Sequence, residues 1–207
     1  MRATAKSPIV TLTVVGLAVL ASASPVISNW LVWDRAAIAA GQCWRVVTGN
    51  LVHAAARHLW WDALAVTVAG WLIETRARRS LAILTLAAAS VIGLSIFVFC
   101  PKVRLYCGLS GVACAMFGYL ALLGIRTGST ARWCGIAMSI LVTGKVVWEL
   151  TTGRTMFGLV AGDAYVVLPL AHATGLVVGV LRGMIDRSEM APRVHVQAPV
   201  ERGIVRS

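Results

Sequence analysis

The stretch GLSGVACAMFGYLALLGI, residues 108–125, places a serine between two glycines at the start of a long apolar run. The run is long enough to cross much of a bilayer. A second apolar stretch, residues 166–181, carries His172 in its interior. Polar side chains at that depth cost free energy, so they indicate function. The hydroxyl of Ser110 and the imidazole of His172, on separate membrane-embedded helices, suggest a nucleophile and its base.

The rest of the sequence has the composition of a membrane protein. Apolar residues make up 58% of the 207 residues and charged residues only 13%, and the mean hydropathy is +0.81, well above that of a soluble domain. The apolar runs lack the period-two alternation of barrel strands, and a spanning helix needs roughly 20 residues. We therefore expect an all-α polytopic membrane protein with six transmembrane helices in residues 1–182 and a basic, disordered cytoplasmic tail in 183–207. The six runs are residues 8–28, 50–73, 80–100, 109–125, 133–151 and 164–182.

The positive charge of the chain fits a membrane orientation better than nucleic-acid binding. The net charge is +11, but most Lys and Arg residues lie at the N-terminus, after the second and fourth runs, and in the tail. Cytoplasmic loops carry the excess of Lys and Arg, so both termini are expected in the cytoplasm. The partner of this charge is expected to be anionic lipid of the bilayer, with no nucleic acid. The expected cytoplasmic set is Arg2, Lys6, Arg76, Arg78, Arg79, Arg126, Arg132, Arg182, Arg187, Arg193, Arg202 and Arg206.

This orientation brings the two candidate catalytic groups to a similar depth. Ser110 lies near the outer face, and His172 is expected about two turns into the sixth run, roughly 10 Å below the surface at ~1.5 Å per residue. His172 could take the serine proton as a base and return it to the leaving amine. No third acid is evident beside His172, so we predict a dyad. The backbone N–H of Ser110 at the helix start could donate to the oxyanion.

Other residues around the dyad form a supporting set. His58 and Asp62 are spaced i, i+4 and share a helix face, with His53 five residues earlier. Small residues allow helix backbones to approach closely in lipid. The run after the nucleophile carries Gly111, Ala115 and Gly118, and the sixth run carries Gly175 and Gly179, which we assign to helix packing.

Taken together, these residues resemble the rhomboid family of intramembrane serine proteases. The matching pieces occur in the family's order over residues 44–180, and within the family the chain is most similar to the rhombosortase branch. The resemblance implies cleavage of membrane-anchored proteins near the outer face of a bacterial inner membrane. In this branch the substrates carry a Gly-Gly-bearing C-terminal helix and a basic tail. The matching pieces are Trp44-Arg45, His53, HLWWD at 58–62, Glu74, GLSG at 108–111, and HATG at 172–175 with Gly179.

The resemblance also assigns supporting roles and exposes two departures. It implies that His58 donates to the oxyanion, with Gly108 and Gly111 flanking the nucleophile. Cys114 stands where the family often has an aromatic residue, so His172 has no ring to stack on. Asp62 stands where the family usually has Asn. A neutral Asp62 could donate to the oxyanion, whereas a charged Asp62 could accept a bond from His58 and fix its donating nitrogen.

Several alternatives stay open at this point. Ser110 taken alone could be a helix cap, and His172 could merely bond to a neighbouring helix. Lys145 and Glu149, spaced i, i+4, could pair with each other or line a gate or ion path. The chain as a whole could be a catalytically silent rhomboid-like protein that binds or escorts membrane proteins, or a small transporter that uses Asp62, Lys145 and Glu149.

The remaining chemistry is sparse. The sequence contains neither a metal-ligand cluster nor a phosphate loop, so no cofactor and no metal are expected. Five cysteines are present. Cys100 and Cys107 flank one short loop on the expected outer side, where disulfides persist, and they could pair.

Overall fold

The computed structural model describes residues 7–153 and 168–186, and this part of the chain is an all-α bundle with one short strand pair. The antiparallel pair joins Trp33 to Tyr106 and Asp34 to Leu105. Residues 1–6, 154–167 and most of the predicted tail, 187–207, lie outside the described residues. The elements are α1 (Ile9–Ser22), α2 (Pro25–Leu31), β1 (Trp33–Asp34), α3 (Arg35–Ala39), α4 (Arg45–Thr48), a 3-10 turn (Gly49–Leu51), α5 (Ala56–Phe99), β2 (Leu105–Tyr106), α6 (Ser110–Arg126), α7 (Ser129–Thr152) and α8 (Pro169–Ile185).

The predicted apolar runs correspond to helices, but only some of these helices are clear membrane spans. Within the described residues, α5 and α7 are long and apolar enough to cross a membrane, and the bent pair α1 and α2 adds a third if the pair is one span. Helix α5 is 44 residues long and has non-helical dihedrals at Ala77, which separates the second predicted run from the third. Helices α6 and α8 have 17 residues each, the lower limit for a span. The structure therefore supports two to three clear spans.

Helices α6 and α8 run parallel with their backbones in contact. A Cβ added at Gly175 would lie 2.0 Å from the carbonyl oxygen of Gly111, and one at Gly179 would lie 2.0 Å from that of Ala115. From the first contact to the second, the residue number increases by four on both helices, so the two helices run in the same direction. Close approach through glycine supplies the packing that lipid-embedded helices need, and it fixes the relative height of Ser110 and His172.

The far ends of the same two helices are joined by polar contacts. Arg126 at the end of α6 donates to the carbonyl of Gly183 at 2.7 Å. Tyr119 donates to Asp186 at 3.0 Å, and Arg182 pairs with Asp186 at 2.7 Å. Helix α8 thus continues past residue 182 and ends at Ile185.

Helix α1 is attached to α5 through a buried carboxylate. Glu74 is 1% exposed, and its oxygens accept from the backbone N–H groups of Val10 and Thr11, each at 2.9 Å. These are orphan donors of the first turn of α1, so Glu74 acts as a cap supplied by another helix. Arg78 completes the ion pair with Glu74 at 3.0 Å.

Two arginines on the expected outer side have structural partners. Arg35 donates to the carbonyls of Ile96, Phe97, Cys100 and Val103 at 2.8 to 2.9 Å, which caps the C-terminal end of α5. Arg45 is 7% exposed and donates to the carbonyls of Asn29 and Val32. Carbonyl groups of the preceding segment thus bind the Arg45 guanidinium inside the fold.

Candidate active site

Ser110 and His172 meet at one end of the parallel helix pair. The Oγ atom of Ser110 lies 2.7 Å from Nε2 of His172. Ser110 is the first residue of α6, and His172 is the fourth residue of α8 and 3% exposed. His172 thus lies about one turn from the start of α8, which begins at Pro169. The pair has the geometry of a nucleophile and its base.

The other ring nitrogen of His172 faces an acid from a third helix. The Oε2 atom of Glu149, on α7, lies 2.5 Å from Nδ1 of His172. The expectation that no third acid stands beside His172 is therefore wrong. Lys145 binds the same carboxylate at 2.7 and 2.9 Å, which confirms the predicted pairing of Lys145 with Glu149. The Nζ atom of Lys145 also lies 3.0 Å from Nδ1 of His172.

The loop before Ser110 is held by Asp62. One oxygen of Asp62, Oδ2, accepts from the backbone N–H of Leu109 at 3.0 Å. The same oxygen lies 3.1 Å from Nε2 of His53 and 3.2 Å from Nε2 of His58. Of the two roles open for Asp62, the geometry matches the one in which its carboxylate accepts a bond from His58. The link to Leu109 was not foreseen from the sequence.

The two glycines of the Gly-Leu-Ser-Gly motif, Gly108 and Gly111, each pack closely against a neighbouring part of the site. Gly108 has a φ of +126°, a conformation that only glycine adopts readily. A Cβ there would lie 3.1 Å from Cε1 of His58, so the partly exposed His58 ring lies against the Gly108 backbone. Gly111 packs against the carbonyl of Ala171. The first N–H groups of α6 have no partner within a helix, and together with the His58 ring beside Gly108 they could donate to an oxyanion.

His53 has a role that sequence reasoning did not assign. Its Nδ1 lies 3.1 Å from the carbonyl oxygen of Leu51, and its Nε2 lies 3.1 Å from Asp62. The ring is thereby fixed on both sides, and it stands edge-on to His58 with 5.2 Å between ring centroids. His53 and Asp62 form a buried support for the His58 ring and the Leu109 backbone.

The cysteines take no part in these contacts. All five fall within the described residues, and all are free, so the suggested pairing of Cys100 with Cys107 is not formed. Burial raises the pKa of the Cys107 thiol to about 11. In residues 7–153 and 168–186, no group of His, Cys, Asp and Glu side chains could hold a metal ion.

Comparison with known proteins points in the same direction as the geometry. The chain is 29% identical over 171 residues to the rhomboid protease GlpG of Yersinia enterocolitica, an alignment that covers 80% of this chain and 56% of the relative. It is 28% identical to the GlpG proteins of Yersinia pestis and Yersinia pseudotuberculosis, with 82% of this chain and 57% of each relative covered. The chain thus spans little more than half the length of the curated relatives it matches. Residues 40–189 match the family model of the rhomboid domain, and the chain therefore belongs to the rhomboid family.

Proposed function

We propose that the protein is an intramembrane serine endopeptidase in which Ser110 is the nucleophile and His172 the general base. The observation that carries the proposal is the 2.7 Å separation between Oγ of Ser110 and Nε2 of His172. Both side chains sit at helix starts in an apolar bundle, where a hydroxyl and an imidazole would be costly without a use. Membership of the rhomboid family, and relatives that are themselves named proteases, support the same reading.

The chemistry follows from this geometry. The Oγ atom of Ser110 attacks the carbonyl carbon of the scissile peptide while its proton moves to Nε2 of His172. The tetrahedral intermediate collapses, and His172 gives that proton to the leaving amine. Water then enters, loses a proton to His172 and releases the acyl group from Ser110. His172 passes the water proton to Oγ of Ser110 as the acyl–oxygen bond breaks, while the original serine proton has left on the amine. The site is thereby regenerated and no cofactor is needed.

The developing oxyanion needs preorganised donors. The backbone N–H groups at the start of α6 and the ring of His58 are the groups we assign to this role. One such donor typically contributes about 2.7–4 kcal/mol, which corresponds to a factor of 10² to 10³ in rate. Asp62 and His53 do not donate to the oxyanion in this scheme. They hold the His58 ring and the Leu109 backbone, so that the donors converge on one point above Ser110.

The membrane arrangement that we propose has six spans, both termini in the cytoplasm, and the dyad near the outer face of a bacterial inner membrane. Residues 56–76 and 78–99 would then be two spans joined at Ala77. Arg76, Arg78 and Arg79 lie at this junction, far along α5 from His58, and Arg126 lies at the end of α6 opposite Ser110. This asymmetry agrees with the positive-inside rule. Arg35 and Arg45, on the other side, are occupied by carbonyl groups, so they say little about orientation.

The substrates that we propose are membrane-anchored proteins with a transmembrane segment, reached from the bilayer. The resemblance to the rhombosortase branch favours the C-terminal anchors of Gly-Gly-type sorted proteins. The catalytic serine lies at the first residue of α6, close to the end of the bundle. A cut would therefore fall near the outer end of a substrate helix, where the peptide bond is released from helical hydrogen bonds most easily.

A fluorophosphonate probe tests the proposal directly, because it reacts only with an activated serine. Purified wild-type protein is expected to be labelled, and Ser110→Ala and His172→Ala are expected to lose labelling. Ser139→Ala is a matched control, since Ser139 faces Gly118 and Ala121 in the middle of α6. A correctly inserted wild-type protein without labelling would instead favour the silent binding protein.

A transporter is not favoured, because Asp62, Lys145 and Glu149 are all engaged around Ser110 and His172.

A further inference from the structure

Helix α7 carries two charged side chains, one turn apart, in a stretch that is otherwise largely apolar. Glu149 is 1% exposed, and both of its oxygens bind the ammonium of Lys145. Buried ion pairs are often no more stable than apolar residues of similar volume, and charges within a membrane usually mark a functional site. The pair therefore calls for a function that two apolar side chains could not supply.

The pair faces His172 of α8. Oε2 of Glu149 lies 2.5 Å from Nδ1, while Nε2 on the opposite side of the ring lies 2.7 Å from Oγ of Ser110. A carboxylate, an imidazole and a hydroxyl thus form a continuous chain of hydrogen-bond distances across α7, α8 and α6. All three side chains are held by helices rather than loops, so the spacing of the chain is set by helix packing.

We propose that Glu149 is a positioning residue that completes a Ser110–His172–Glu149 triad, and that Lys145 holds its carboxylate in place. The inference rests on the proposed function of the dyad. A carboxylate at Nδ1 accepts a hydrogen bond from that nitrogen and keeps the ring proton there, which leaves Nε2 free to accept the proton of Ser110. The same carboxylate stabilises the imidazolium that forms when Nε2 takes the proton.

Lys145 gives the arrangement a property that a purely structural ion pair would lack. Its Nζ lies 3.0 Å from Nδ1 of His172, close enough to donate to that nitrogen once the carboxylate no longer competes for the ring. A neutral His172 that accepts from Lys145 carries its own proton on Nε2, where it points at Ser110 and cannot act as a base. Loss of the Glu149 charge alone is therefore expected to slow the reaction more than loss of both charges.

The test measures the rate constant for fluorophosphonate labelling at saturating probe, together with the probe concentration for half-saturation, on full-length protein in detergent. We expect Glu149→Gln to lower the saturating rate at least a hundredfold and to change the half-saturating concentration less than twofold. Glu149→Gln combined with Lys145→Met is expected to react at least five times faster than Glu149→Gln alone, and still at least tenfold more slowly than wild type. Rates are referred to the folded fraction, and Ser139→Ala serves as the control.

The outcomes separate this inference from the function on which it rests. Wild-type protein that reacts no faster than Ser110→Ala overturns both. Reactive wild-type protein with a Glu149→Gln rate within threefold of it overturns the triad alone and leaves the dyad intact. A double variant that is slower than Glu149→Gln overturns the role of Lys145. If Glu149→Gln does not fold, the test uses the double variant, which has no charge at either position. A labelling rate of the double variant equal to that of wild type would overturn the triad.

Discussion

The carboxylate of Asp62 accepts the backbone N–H of Leu109, 47 residues later in the chain, at 3.0 Å. Leu109 directly precedes Ser110, so this bond ties the start of α6 to the start of α5. The same oxygen faces His53 and His58. A single acidic side chain therefore sets both the backbone and the ring that we assign to the oxyanion site.

Replacement of Asp62 is expected to separate this role from simple packing. Asp62→Leu leaves the buried N–H of Leu109 with only the longer contact to Nε2 of His53, at 3.3 Å, and frees the His58 ring, so we expect at least a tenfold loss of labelling rate. Asp62→Asn keeps one oxygen that can accept from Leu109, and it is expected to lose clearly less. Labelling rates at matched expression measure the difference. Equal and unchanged rates for both variants would show that Asp62 has no part in the site.

The dyad is expected to behave as one unit. Ser110→Ala removes the nucleophile and His172→Ala removes its base, so either change alone should abolish cleavage of a co-expressed membrane protein. Because each residue needs the other, the double variant should lose no more activity than the single variants. Membrane insertion of each variant, checked by fractionation, is the control. Cleavage by Ser110→Ala at the wild-type rate would refute the nucleophile assignment.

The contact between α6 and α8 is expected to depend on glycine. A Cβ at Gly179 would lie 2.0 Å from the carbonyl oxygen of Ala115, so Gly179→Ala forces the helices apart. Overpacking of this kind typically costs about 1–3 kcal/mol, and the shift is expected to lengthen the distance from Ser110 to His172. We expect a lower melting temperature and slower labelling.

Gly144 offers the matched control for that substitution. It lies within α7, and a Cβ added there meets nothing within 4 Å. Gly144→Ala is therefore expected to leave both the melting temperature and the labelling rate unchanged or slightly higher, since alanine restricts the unfolded chain. Equal effects of the two substitutions would mean that the 2.0 Å contact does not limit the approach of α6 to α8.

The sequence was sufficient to predict the groups that lie at fixed spacing within one helix and the two side chains, Ser110 and His172, that the fold brings together. Ser110, His172, the glycine steps on α6 and α8, and the pairing of Lys145 with Glu149 follow from local patterns. The contact of Glu149 with His172 does not, because it depends on how α7 rotates against α8, which hydrophobic periodicity does not fix. The sequence feature that could have indicated a role for Glu149 in the site is the presence of a charged pair inside an apolar run.

The buried arginines show the same limit. The guanidinium of Arg45 binds carbonyls of residues 13 and 16 positions earlier. Such contacts arise from the path of the segment between α1 and α5, where irregular backbone leaves acceptors unpaired. A count of charged residues used to orient the chain in a membrane includes Arg45, whereas in the folded chain the Arg45 guanidinium donates hydrogen bonds to backbone carbonyls.

The orientation of the protein in its membrane is testable with its own cysteines. Cys43 and Cys134 are both exposed. Cys43 lies just before α4, in the segment that packs beside the Ser110 end of the bundle, and Cys134 lies near the start of α7, next to the Arg126 end. Variants that retain one cysteine each are treated in intact cells with a membrane-impermeant maleimide. We expect labelling at Cys43 and none at Cys134 until the cells are lysed.

A variant that retains only Cys107 is the reactivity control for this experiment. Burial raises the pKa of Cys107 to about 11, so at neutral pH its thiol stays protonated and reacts slowly even though it lies on the same side as Cys43. Labelling is expected to accelerate as the pH rises toward that value. Labelling of Cys134 but not Cys43 in intact cells would place the dyad near the cytoplasmic face, and the proposal of cleavage at the outer face would fail.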